Sequence, residues 1–65
     1  MKNPADVLRQ EGVRSELLFH EGCMAFRMGN RKEAITALEE SLRIYPENHN
    51  SQMALAQIKA TPVEP

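Results

Sequence analysis

The chain has no tryptophan, a single cysteine and very few aromatic residues, 5% of its 65 positions. The lone Cys23 cannot close an internal disulfide, which excludes a cross-linked secreted mini-protein and makes a reducing, cytoplasmic setting the expectation. Long apolar runs are missing as well. The stretch from Met1 to His20 carries Lys2, Asp6, Arg9, Glu11, Arg14 and Glu16, so neither a signal peptide nor a membrane span is expected there. Nor is there an excess of either charge: eight Lys and Arg against nine Asp and Glu leave a formal charge of -1, no electrostatic footprint for nucleic acid or an anionic bilayer. Sixty-five residues make one domain at most, and a chain this short buries too little surface to be comfortably stable by itself.

What is present is helical periodicity. Asn3-Pro4 opens a helix, with asparagine able to cap free N–H groups, proline suited to the first helical position, and Asp6 where the helix dipole favours an acid. Two readings stand at Gly12: one helix running from Pro4 to Met28, or a short arm ending there with Ser15 capping a new helix. The continuous helix is preferred, because Val7 and Leu8 stay on its apolar arc at about 100° per residue. From Glu16 to Met28 the polar residues Glu16, His20, Cys23 and Arg27 cluster within about 60°, and apolar side chains occupy most of the remaining circumference. The apolar arc has three strips: Leu18, Gly22 and Ala25 in the middle, Phe19 and Phe26 on one flank, Leu17, Met24 and Met28 on the other. One neighbouring helix cannot cover all three. Glu21 interrupts the arc and should lie at an edge or meet a cation, since a buried unpaired carboxylate is costly.

Gly29-Asn30 is a stop and a restart, glycine taking the left-handed helix end and Asn30 with Glu33 forming a capping-box-like start. So short a turn allows only antiparallel packing. The second helix buries Ala34, Ile35, Ala37, Leu38, Ser41, Leu42, Ile44 and Tyr45 and leaves its other face charged, with Glu39 and Arg43 spaced for an ion pair. Pro46 ends it. Asn48 or Asn50 can cap a third helix carrying Met53, Ala54, Leu55, Ala56 and Ile58, and Thr61-Pro62 opens a tail with little to bury. The expectation is all-α: an N-terminal helical extension over 1–14, a helix-turn-helix over 15–46, a capping helix over 47–60 and a disordered tail over 61–65.

The segment from Ser15 to Pro46 resembles a tetratricopeptide repeat, a helix-turn-helix unit of 34 residues. The residues that carry the resemblance are Leu18, Gly22, Ala25, Gly29, Ala34, Leu38, Ser41 and Pro46. Gly22 to Ala34 and Ala34 to Pro46 are each twelve residues, and glycine and alanine permit close approach of the helix backbones. Several positions depart from the commonest choices: Leu18 replaces a tryptophan, Glu21 a leucine, Ala25 a tyrosine, Leu38 an aromatic and Ser41 an alanine. Leu55-Ala56 matches the start of a further unit, as a capping helix would. Repeat units normally need about three copies to bury their faces, and only one is here. The missing neighbours must come from a second copy, another protein or the N-terminal extension; a homo-oligomer, with a dimer favoured, is expected.

The resemblance implies a concave groove lined by Phe19, Cys23, Phe26, Met53 and Gln57, with Leu17, Met24 and Met28 as a second candidate interface. The version of the family that clamps a terminal carboxylate has lysine and asparagine where Phe19 and Cys23 stand, so an apolar anchor is the expected ligand. Catalysis is not expected. His20 and Cys23 share a helical face, but structural zinc needs four ligands and nothing suggests an oxyanion site, so no cofactor or metal is assigned. The sequence points to a protein-interaction module, a self-associating scaffold or adaptor; the alternative is an accessory subunit or small chaperone ordered by a different protein.

Overall fold

The computed structural model describes the backbone of residues 4–62 and the side chains of residues 9–62. These residues form three helices and no strand: α1 over Pro4–Arg27, α2 over Arg31–Ile44 and α3 over His49–Ala60. The first helix runs unbroken through Gly12, where an added Cβ would meet nothing within 4 Å. The expected Asn3 cap, the side chains of Asp6, Val7 and Leu8, and residues 63–65 of the expected tail lie outside the described residues. At 1.5 Å per residue, the 24 residues of α1 span about 36 Å against about 21 Å for the 14 of α2, so α1 is much the longer arm of the hairpin.

The turn is built as the glycine requires. Gly29 adopts φ +85°, and its N–H donates to the Phe26 carbonyl at 3.0 Å while the Asn30 N–H reaches back to the Ala25 carbonyl at 2.8 Å. These two bonds occupy carbonyls that the end of α1 would otherwise leave open. The expected capping box is absent: Asn30 has φ -95° and ψ 72° and makes no side-chain bond to the first turn of α2. With its backbone committed to the reverse turn, Asn30 lies outside the extended conformation that aims a capping side chain, and it is exposed.

Helices α1 and α2 cross at Gly22. A Cβ there would sit 2.8 Å from Leu38 Cγ and 3.2 Å from the Ala34 carbonyl oxygen, so any side chain would force the helices apart. Ala34, Leu38 and Ile58 form the buried apolar core, with Phe19, Ala25, Ile35, Ala54 and Leu55 packed partly against it.

One turn-pair along the crossing the core becomes polar. Ser15, Ser41 and Ser51 are fully buried, and Asn48 nearly so. The Ser15 hydroxyl donates to the Ser41 carbonyl at 2.8 Å, and the Ser41 hydroxyl donates to the Ser15 carbonyl at 2.7 Å. With those protons committed, Ser51 Oγ donates to Ser41 Oγ at 2.6 Å and Asn48 Nδ2 to Ser15 Oγ at 2.8 Å. The Ser15 and Ser41 hydroxyl oxygens also lie 2.7 Å apart, so the three hydroxyl protons are shared among four contacts, and no buried side-chain polar atom among the described residues lacks a partner. Asn48 also caps α3, its Oδ1 accepting from the Ser51 N–H at 3.2 Å. Of the two asparagines expected as α3 caps, Asn48 takes the role, while Asn50 lies 3.4 Å from a Glu16 oxygen. Ser15, considered above as a helix cap, instead ties all three helices together.

The far end of α3 is fastened by a residue that sequence reasoning passed over. Arg31 donates to the Ile58 and Thr61 carbonyls, both at 2.7 Å, placing a cation at a helix C-terminus where the dipole favours it. The expected Glu39–Arg43 pair does not form. Arg43 instead makes a two-pronged bond to Glu40, with Nε to Oε2 at 2.9 Å, and Glu39 lies 3.8 Å from Lys59 on α3. Glu40, three residues back, offers both carboxylate oxygens to the planar guanidinium, whereas Glu39 is drawn toward the cation across the helix pair.

Candidate functional site

Two surfaces remain after the hairpin and α3 have packed. The first is the outward face of α1, where Val13, Leu17, Met24 and Met28 are 55%, 60%, 62% and 72% exposed. At about 100° per residue the four lie within about 60° of one another, a continuous apolar stripe. They project there because Leu18, Gly22 and Ala25 turn the opposite side of the helix toward α2. Leu17, Met24 and Met28 thus stand together as the sequence suggested; Val13 extends their stripe, and its spacing of four from Leu17 was the signal for it. Glu21 sits at the stripe's edge, exposed, in a shallow groove shared with Arg14, Leu17, Leu18, Glu40 and Ile44.

The second surface is a concavity of about 230 Å³ between the last turns of α1 and α3, lined by Cys23, Phe26, Arg27, Ala54, Gln57, Ile58 and Thr61. Three of the five residues expected in a groove, Cys23, Phe26 and Gln57, meet here. The other two do not: Phe19 packs against the core with its ring 5.3 Å from that of His20, and Met53 stands 63% exposed away from this lining. Ala54, Ile58 and Arg27 complete the wall. Ala54 and Ile58 are spaced i, i+4 on one face of α3, a signal that was available but read only as core.

The electrostatics of both surfaces are plain. His20 is exposed and Cys23 half-buried, and among the described residues no three His, Cys, Asp or Glu side chains are grouped to hold a metal ion. The shifted groups are on the outer face of α2: the hydrogen bond from Arg43 holds the Glu40 carboxyl below its ordinary range, and the same bond raises the Arg43 guanidinium. Glu40 also lines the shallow groove that holds Leu17 and Glu21, so this pair stands beside the α1 stripe. Among the described residues no helix is long and apolar enough to cross a membrane.

Searches of curated proteins and of solved structures find no match. The family model for the tetratricopeptide repeat matches residues 15–48, which is 34 of the 65 positions. It begins at the buried Ser15 and ends at Asn48, the two partners that close the polar part of the core. The antiparallel hairpin crossing at Gly22, with a third helix laid against it, and this match over more than half of the chain lead to one conclusion: the chain belongs to the tetratricopeptide repeat family, whose stacked hairpins form protein-interaction modules.

Proposed function

We propose that the chain is a non-catalytic scaffold or adaptor that self-associates through the outward face of α1 and offers the concavity at Cys23, Phe26 and Gln57 to another protein. In this reading residues 15–60 are the working unit, with 1–14 as an extension of its first helix and 61–65 as a tail. The observation that carries it is the bare stripe of Val13, Leu17, Met24 and Met28, the side on which a preceding repeat would pack. The groove reading rests on the partly exposed Phe26 beside Cys23 and Gln57.

The same small core favours a second reading, an accessory subunit ordered by a different protein. Among the described residues only Ala34, Leu38 and Ile58 are buried apolar residues, little for a free-standing domain. Light scattering over a hundredfold concentration range, with helicity recorded on the same samples, separates the two. Self-association predicts mass and helicity rising together, and Leu17→Glu with Met24→Glu holding the chain monomeric. Helicity that appears only when another protein is added supports the accessory subunit and overturns self-association.

A further inference from the structure

The two ends of this repeat are not equivalent. On the C-terminal side α3 already lies against the hairpin, held by Ser51 and Asn48 at its start, Ile58 in its body and Arg31 at its end. Its outer face shows His49, Gln52, Ala56 and Ala60 with Met53, 63% exposed, as its single large apolar side chain. On the N-terminal side the α1 stripe is bare. Head-to-tail stacking needs two complementary open ends; one methionine among polar and small residues does not match a stripe of four large apolar side chains, so a second copy meets this face best with the same face.

The stripe also has a direction. Its spacings are four, seven and four residues, which read the same from either end. We propose that the chain closes as a two-fold dimer in which α1 lies antiparallel on the partner's α1, Val13 against the partner's Met28 and Leu17 against the partner's Met24. The axis passes between His20 and Glu21. The flanking charges select this direction. A parallel pair would set Arg9 beside the partner's Arg14 and Glu16 beside the partner's Glu21, four like-charge contacts in the dimer. The antiparallel pair sets Arg14 beside the partner's Met28 and Glu16 beside the partner's Cys23. One like-charge approach remains, Glu21 with the partner's Glu21, and that side chain is exposed and free to turn outward.

This inference rests on the self-association proposed above, and the test separates the two. In the full chain carrying Cys23→Ser, single cysteines are introduced at exposed stripe positions, oxidised and resolved by mass, with helicity checked for each variant. Light scattering of the same chain should plateau at twice 7.4 kDa. His20→Cys, near the axis, should link to itself. Val13→Cys should not, because the two copies lie about 22 Å apart along the helix, far beyond disulfide reach, but it should link to Met28→Cys when the two are mixed. Val13→Cys linking to itself would show parallel pairing and overturn the proposal. A dimer that links at none of these positions would place self-association on another face, and mass climbing without a plateau would show open stacking; both overturn the two-fold closure while leaving self-association standing. A helical monomer throughout would remove self-association itself.

Discussion

Helices α1 and α2 meet in two places, and the two contacts are chemically opposite. At one, Gly22 lies against Ala34 and Leu38 with no polar side chain present; seven residues away along each helix, Ser15 lies against Ser41 with every hydroxyl hydrogen-bonded. Both bring backbones close by using small residues, glycine by having no side chain and serine by having one short enough to reach the opposite carbonyl. The difference lies in what each contact forbids. An apolar crossing tolerates a small slide, but the reciprocal serine bonds exist in one register only, and a displaced register would leave buried hydroxyls unpaired at about 1–3 kcal/mol each.

The sharpest way to break this comparison is at the apolar contact. Gly22→Leu should cost more than the roughly 1–3 kcal/mol of ordinary overpacking, because the added side chain meets Leu38 and α2 backbone together, and thermal unfolding followed by circular dichroism should show the cooperative transition lost. A stable, fully helical variant would contradict the crossing. At the polar contact, Asn48→Ala removes both the α3 cap and the donor to Ser15 Oγ, and should lower stability by about 1–3 kcal/mol in denaturant unfolding. No change there would mean that water replaces the asparagine and the node does not set the register.

Gly12 sharpens the comparison from within the same helix. It has open space where Gly22 has none, so Gly12→Ala should raise stability by about 0.4–1 kcal/mol, measured as a higher thermal midpoint; destabilisation would show that something packs on it. The smallest effect concerns the exposed charges of α2. Because Arg43 lowers the Glu40 carboxyl, the contribution of this pair is present above the ordinary carboxylate range and is lost as pH falls through the folded value. Arg43 is largely exposed and Glu40 partly so, and stability should barely move, whereas an NMR titration should place the Glu40 midpoint higher in Arg43→Gln than in the natural chain. An unchanged midpoint would remove the pair.

Much of the fold was legible because it depends on local chemistry. Pro4, the apolar period, Gly29 and Pro46 each act on their own stretch of backbone, and the helices end where these residues say they should. The twelve-residue spacing from Gly22 to Ala34 was legible for the same reason. The polar node was not recognised, although a pattern pointed to it: Ser15 stands seven residues before Gly22, Ser41 seven after Ala34 and Ser51 seven before Ile58, each on a buried face. Serine and asparagine are common at helix starts, and that local role was the one read for Ser15. For the candidate surfaces, the Leu17, Met24 and Met28 strip could be drawn on a wheel, but the turning of Phe19 toward the core and Met53 away from the concavity depends on how three helices pack.

The sequence by itself determined the number of helices, their stops and the glycine at the crossing, because periodicity and backbone sterics act between near neighbours. Only the tertiary structure decided that three serines and Asn48 share one set of protons, that Arg31 fastens the end of α3, and that α1 keeps one apolar face bare. The first two join residues 10 to 33 positions apart, and which partners meet follows from helix packing rather than from any local preference.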